Sequence, residues 1–504
     1  MIGVGLYSRK HASNVNDFVL GGRSVGPWLT AFAYGTSYFS AVVFVGYAGQ
    51  FGYRYGLAST WIGIGNALIG SLLAWVILGR RTRIMSNHLS AATMPDFFGK
   101  RYHSNALRIA ASVISFVFLI PYTASVYNGL SRLFGMAFDI PYEVCVIVMA
   151  ALTCVYVILG GYMATAINDF IQGIVMLAGI VAVIAAVLNG QGGFLNAVRS
   201  LSKFESDAAV TLGQQGAFAS FFGPDPLNLL GVIILTSLGT WGLPQMIHKF
   251  YAIRDEKSIQ SGTIISTFFA IVVSGGCYFL GGFGRLFDTA AIHKEDGSVI
   301  FDAIIPSMLS TLPDLLVGVV IVLVLSASMS TLSSLVLTSS STLTLDFLKD
   351  NLIKKMSEKK QLIYMRVLLV FFIVCSVVLA LFPPKSIAQF IAQLMGISWG
   401  ALAGAFLAPF LYGLYWKGVT RAAVWASFAC GIGITVSNLF LRFIDSPINA
   451  GAVAMLAGLV LVPVVSVLTP KMDRQETERI FSCLEEEVVV ARRVALPQQD
   501  KKRR

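Results

Sequence analysis

Long apolar stretches separated by short polar segments set the pattern of this chain from about residue 27 to about residue 468. A helix needs about 20 mostly apolar residues to cross the hydrocarbon of a bilayer. On that rule, spans fall near 27–54, 57–79, 106–136, 142–160, 165–187, 228–250, 258–287, 313–347, 361–383, 386–415, 418–442 and 447–468. The pattern predicts an all-α polytopic membrane protein. The opening MIGVGLY is apolar but too short to cross, and no small-residue cleavage site follows it, so it does not read as a signal peptide. It reads instead as the tail of a further helix whose beginning is absent. Two connections are long. Residues 188–227, rich in Gly, Ser and Asn, read as a loop or lid, and 288–312 carry HKEDGS and a short surface helix around Phe301–Leu309.

The polar segments orient the chain. With the stretch before the first span placed inside and the sides alternated from there, inside segments hold 29 Lys and Arg against 8 outside. Without the C-terminal tail the ratio is still 20 to 8. Positive charge gathers on the cytoplasmic side, so both termini are expected there, in a multi-pass protein of the cell membrane. Composition agrees: 56% of residues are hydrophobic and 12% charged, where soluble domains hold roughly 45–50% and about 25%. That excludes a soluble enzyme, a disordered chain and a secreted disulfide scaffold. The net charge of +11 does not point to nucleic acid, because the basic residues lie in short clusters between spans, as Arg80, Arg81 and Arg83 do. The six cysteines are scattered without a CxxC and read as small hydrophobes.

Two spans carry helix breakers at depth. The first has Gly35 followed by Thr36, Ser37, Tyr38 and Ser40; the sixth has Gly239, Gly242 and Pro244. Proline removes a backbone donor and glycine eases departure from helical geometry, and backbone freed inside a membrane must be buried in protein or line a wet cavity. Interrupted spans five apart point to a transporter site between inverted repeats; close helix packing at the glycines is the other reading. The eighth span has 12 Ser or Thr among the 19 residues 326–344. Within it Ser330 and Thr331 stand three and four residues after Ala327, on one helix face. Two hydroxyls beside a carbonyl make a neutral oxygen cluster of the kind hard cations prefer. One acidic residue, Asp169, falls within a span, where it is either a functional group or an interfacial helix cap.

These segments resemble the sodium/solute symporter family, which includes sodium/proline, sodium/pantothenate and sodium/glucose transporters. The similarity runs from Asn16 to about Thr469 and rests on NDFVLGGRSVG at 16–26, the broken first span, ILGGYMATAINDFIQG at 158–173, GLPQMIHKF at 242–250 and LSASMSTLSS at 325–334. The resemblance implies a LeuT-type inverted repeat of five plus five helices, followed by two further spans and preceded by a truncated leading helix. Implied boundaries are 1–26 for a cytoplasmic segment with the remnant of that helix, 27–187 for the first repeat, 188–227 for an extracellular loop, 228–415 for the second repeat, 416–468 for two peripheral helices and 469–504 for a cytoplasmic tail. It also implies a sodium site built from the carbonyls of Thr36, Phe39 and Ala327 and the hydroxyls of Ser330 and Thr331, with Asp169 on the path by which sodium leaves. The chain departs from the proline pattern at Tyr38, where that branch carries an aspartate, and at Thr236 and Thr240, where it carries an aromatic pair. GLPQ and the AIND block are closer to the pantothenate branch.

The function expected is sodium-coupled import of a small organic solute, such as an amino acid, pantothenate or a monocarboxylate, by alternating access. Na⁺ is the coupling ion and no organic cofactor is expected. Tyr38, Thr240, Trp241 and Gln245 are the candidate wall of the solute site, with Asn128 and Gln393 behind them; no buried Arg or Lys is evident there. The expected partners are the lipid bilayer and the solute, with no nucleic acid and no obligatory protein partner. Proton coupling through Asp169 is the nearest rival, and a transporter-like sensor acting through the tail, otherwise a solvated helix, is another. A membrane enzyme is not expected, because the five histidines fall in loops or near span ends and no HExxH or GxSxG occurs.

Overall fold

Apolar residues at helical spacing fold as a bundle of long helices in the computed structural model, which describes residues 2–8, 14–349, 351–353, 355–383 and 391–495. The side chains of Ile2, Tyr38, Met136, Ala291 and 485–495 lie outside that description. Among the described residues nine helices are long and apolar enough to cross a bilayer, and Pro226–Gly242 with Pro244–Tyr251 makes a further span bent by 46°. Two of the nine each take in more than one predicted span. Val42–His88 runs through a turn at Gly56, and Tyr142–Gly190 through a kink at Gly161. All twelve predicted segments are therefore represented by helix.

Five helices position the site: α1 (Pro27–Tyr38), α2 (Tyr142–Gly190), α3 (Pro226–Leu238), α4 (Pro244–Tyr251) and α5 (Asp314–Thr342). The hydroxyl-rich α5 lies against α2, α1 and Asn105–Phe138, and from Ser326 onward every one of its residues is buried. That answers its composition. A helix so rich in Ser and Thr gains nothing from lipid, and the hydroxyls of Ser333, Ser340 and Ser341 bond back to carbonyls one turn earlier. The kink in α2 requires its glycine twice over. Gly161 has φ 53°, and a Cβ there would stand 2.8 Å from the Phe18 carbonyl oxygen. Close approach also joins the first and seventh spans, where a Cβ on Gly52 would stand 2.0 Å from the carbonyl of Gly281.

Ile391–Tyr415 is almost wholly buried, and the last two spans, Arg421–Leu441 and Pro447–Leu468, pack around it with their outer faces exposed. The expected short helix is present at Phe301–Leu309, but it is tucked in rather than superficial: Asp302, Ile304, Ile305, Met308 and Leu309 are buried. The 188–227 connection includes a helix, Phe194–Leu201. The tail also differs from expectation. Arg474–Ala495 is not simply solvated, because Ile480 and Phe481 are buried and the Phe481 ring sits 5.0 Å from the Arg101 guanidinium. The opening residues form a helix, Ile2–Ser8, packed on α2.

Candidate functional site

α1 stops at Tyr38 because Phe39 takes extended backbone, φ −104° and ψ 129°. The chain re-enters helix through a wide turn over Val42–Tyr47. The donors freed by the break find partners within the protein: Ala41 N donates to Ser328 Oγ at 3.1 Å, and the N–H groups of Val43 and Phe44 donate to the Ser40 carbonyl, each at 3.0 Å. The break falls four residues beyond Gly35. That glycine stays helical beneath Phe269, whose ring a Cβ would approach to 2.6 Å, so it serves close packing. The sixth span breaks where expected: Gly239–Gly242 tightens into a 3₁₀ turn, Leu243 is extended, and Pro244 opens α4 at its first turn.

α5 faces the first break. Thr331 Oγ1 lies 3.1 Å from the Phe39 carbonyl oxygen and 3.2 Å from that of Ala327. Ser330 Oγ donates to Thr36 Oγ1 at 2.8 Å, and Thr36 Oγ1 donates to the Phe32 carbonyl at 2.7 Å. Thr36, Phe39, Ala327, Ser330 and Thr331 are all buried and form one cluster of oxygens drawn from two spans. Thr36 enters it through its hydroxyl as well as its position. Its carbonyl lies in the last turn of α1, where intrahelical donors run out. Neutral oxygens at this density suit a small hard cation.

Asp169 is not an interfacial cap. It lies eight residues past the kink in α2, is fully buried, and its Oδ2 is 3.7 Å from Lys249 Nζ. Lys249, on α4, is a buried cation that the sequence reading did not single out. It is 2% exposed, donates to Ser334 Oγ at 3.0 Å and lies 5.3 Å from the centre of the Tyr162 ring. Ser334 Oγ in turn shares a hydrogen bond of 2.8 Å with Ser37 Oγ on α1. The sequence reading missed Lys249 because it counted HKF as the polar end of a span. The signal was its position four residues after Gln245 on the short helix that starts at Pro244, which puts both on one face.

The candidate solute wall is only partly assembled. Thr240 Oγ1 donates to the Ser237 carbonyl at 2.9 Å and approaches that of Gly70 at 3.4 Å, and Trp241 Nε1 donates to the Ile69 carbonyl at 3.0 Å. Both are thus turned toward the second span, where a wide π-type turn over Asn66–Leu73 leaves carbonyls for outside donors. Tyr34 also donates to Gly70, at 2.7 Å. Gln245 is buried, and neither of its amide atoms has a hydrogen-bond partner among the described residues. The side chain of Tyr38 lies outside the described residues. Asn128 accepts from the Tyr142 hydroxyl. Gln393 is away from the cluster, lining a vestibule of about 650 Å³ with Gln50, Arg54, Asp225, Arg285 and Asn449.

On the opposite face Arg23 draws three segments together. Its guanidinium donates to the carbonyls of Ala91 at 2.6 Å and Tyr251 at 3.3 Å, and to Ser86 Oγ at 3.3 Å. Beside it Val25 exchanges backbone hydrogen bonds with Ala252 and Arg254, at 3.3 and 3.2 Å.

Comparison with known proteins gives a consistent picture. The family model described as "Sodium:solute symporter family" matches residues 18–431. The sodium/proline symporter of Staphylococcus aureus (strain JH9) is 30% identical over 492 residues, covering 94% of this chain and 91% of that protein. Among solved structures, the substrate-bound outward-open state of a Na⁺-coupled sialic acid symporter superposes with a TM-score of 0.75 at 15% identity, over 94% of this chain and 96% of that one. A nucleobase-cation-symport-1 family transporter in a closed conformation, with bromovinylhydantoin bound, superposes with a TM-score of 0.50 at 14% identity, over 92% and 97% of the two chains. At such identities the likeness speaks to the fold, which is the LeuT-type inverted repeat with additional C-terminal spans.

Proposed function

This chain belongs to the sodium:solute symporter family, and from that premise we propose where its ion and its solute bind. The protein is an integral membrane symporter that couples sodium to the import of a small organic solute. In our reading sodium sits among the carbonyl oxygens of Thr36, Phe39 and Ala327 and the hydroxyls of Ser330 and Thr331. The observation that carries this assignment is the Thr331 hydroxyl, which reaches the Phe39 carbonyl at the break of the first span and the Ala327 carbonyl of α5 at once. An ion there exchanges hydrogen bonds for ion–oxygen contacts and ties the broken first span to α5.

Such a tie drives transport only through unequal affinity for two arrangements of the bundle. Sodium and solute then strengthen each other's binding by the same factor. The membrane potential adds about 2.3 kcal/mol per charge for each 100 mV. The moving parts in this reading are the five-helix repeats 27–187 and 228–415, with 188–227 and the vestibule outside the cell, 416–468 peripheral, and the segments 1–26 and 469–504 in the cytoplasm. The charge distribution supports that orientation.

The solute lies near mid-membrane against Tyr38, Thr240, Trp241 and Gln245, and its class is an amino acid, pantothenate or a similar monocarboxylate. Gln245 supports this, since a buried amide with no partner among the described residues has both a donor and an acceptor to offer. Asp169 lies on the route by which sodium leaves. Its pairing with Lys249 favours sodium over a proton carried by that carboxylate. The test is Ser330→Ala combined with Thr331→Ala in a sodium-driven uptake assay on proteoliposomes screened with labelled amino acids, monocarboxylates, pantothenate and sugars. Loss of sodium dependence is expected; uptake as sodium-dependent as before defeats the assignment.

A further inference from the structure

One charged pair inside the bundle has no part in the sodium cage yet borders it. Ser334 follows Ser330 by four residues on α5, so it lies on the same face about 6 Å further along the axis. Its hydroxyl meets the Ser37 hydroxyl from α1 and the Lys249 ammonium from α4, and that ammonium in turn faces the carboxylate of Asp169 from α2. Without Lys249, the remaining groups would be a carboxylate and two hydroxyls, drawn from three spans and shielded from water. Neither Asp169 oxygen has a hydrogen-bond partner among the described residues. A buried carboxylate in that condition takes up a cation or a proton. Here the chain supplies the positive charge itself.

Lys249 is held as a counter-charge would be. Its ammonium contacts one hydroxyl and faces one carboxylate and the ring of Tyr162, a set of acceptors on several sides. The stem belongs to α4, the short second half of the broken sixth span, so the charge is tethered and cannot leave with the transported ions. The pair is neutral overall, whichever partner holds the proton. Sodium therefore enters a neutral oxygen cage beside a neutral pair.

We propose that Lys249 is a built-in substitute for a second coupling cation: its ammonium fills the Asp169–Ser334–Ser37 position, and the protein consequently moves one mobile cation per solute. This rests on the sodium site proposed above, and the two fail separately. Loss of the cage hydroxyls changes how tightly sodium is held, whereas loss of Lys249 changes how many cations accompany each solute.

The experiment measures reversal potentials in proteoliposomes under imposed sodium, proton and solute gradients, together with the Hill coefficient for sodium activation. The wild type is expected to carry one mobile cation per solute, with a Hill coefficient of about 1. Lys249→Met exposes the Asp169 charge, and the count is expected to rise to two, with a Hill coefficient approaching about 2 when sodium is the added ion, or a coupled proton when it is not. Lys249→Met with Asp169→Asn removes both charges and is expected to return the count to one. Should Lys249→Met fail to fold, that double variant and Lys249→Arg, both without a net charge change at the site, are expected to fold and to count one. A wild type that moves two mobile cations per solute overturns the proposal. So does a folded Lys249→Met protein that still moves one, or a double variant that moves two.

Discussion

Thr331 is the residue on which the ion site turns, and its side chain can be altered almost without changing its shape. Thr331→Val keeps the β-branched outline inside a helix and removes one oxygen. In the structure that oxygen bridges the Phe39 and Ala327 carbonyls at 3.1 and 3.2 Å. Without sodium the loss is of ordinary hydrogen bonds, each worth about 1 kcal/mol net. With sodium bound the loss is of a ligand to a buried charge, for which hydrogen bonds to charged groups, about 1.5–3 kcal/mol, set the scale. The hydroxyl has one proton to share between the two carbonyls, so the ion-bound state suffers more by about 0.5–2 kcal/mol, and the half-saturating sodium concentration is expected to rise about 2- to 30-fold. Thr331→Ser restores the oxygen and gives up one methyl, and it should stay within about threefold of wild type. The assay is initial uptake rate against sodium concentration, with sodium-dependent thermal stabilisation of the purified protein as a check that needs no transport. If Thr331→Val keeps the wild-type sodium curve while remaining folded, the oxygen is not a ligand and the cage lies elsewhere.

Three further outcomes follow from the geometry. Asp302 lies on the short helix outside the spans; burial pushes its carboxyl up to about 6, with Arg132 and the Ile391 N–H pulling the other way. A raised carboxyl makes the unfolded state the better acid between its ordinary 3.8 and about 6. Stability should then fall as pH rises through that window and level off above it, at a cost of about 3 kcal/mol. Asp302→Asn should remove the slope in thermal melts, and a wild-type melt flat across the window would count against it. Arg23→Ala breaks the link to Ala91 and Tyr251. His248 is buried on α4, three residues before Tyr251. In a cysteine-free background carrying His248→Cys, thiol labelling should speed up about tenfold, and an unchanged rate would show that Arg23 does not hold that face shut. Gly52→Ala drives a methyl to within 2.0 Å of the Gly281 carbonyl. It should lower stability by about 3 kcal/mol, read from unfolding midpoints, and wild-type stability would mean the two spans part easily.

How far the residues alone revealed this molecule differs from feature to feature, for physical reasons. The spans were legible because lipid demands an unbroken apolar run, and the sixth-span break because Pro244 admits few readings. Ser330 and Thr331 were legible because helical spacing places them beside Ala327 whatever the helix packs against. The first break falls inside the stretch from Gly35 to Ser40, but its exact residue was not legible. Gly35 signals either a departure from helix or a close neighbour, and only the presence of Phe269 decides between them. Lys249 was hidden because its role depends on Asp169, eighty residues away, and on a kink that ends one half-helix and begins another. The wide turns of the second span carry no sequence mark, since no residue type specifies a hydrogen bond displaced by one position.

That displaced register in Asn66–Leu73 has a consequence of its own. The carbonyls of Ile69 and Gly70 serve as a ledge on which Tyr34 of the first span and Thr240 and Trp241 of the sixth all rest. The two discontinuous rods are thereby gauged against a common third, by one surplus residue in the second span. Excising a single residue from this stretch would retract the ledge and leave the rods without a shared datum, although every side chain that touches ion or solute would still be present.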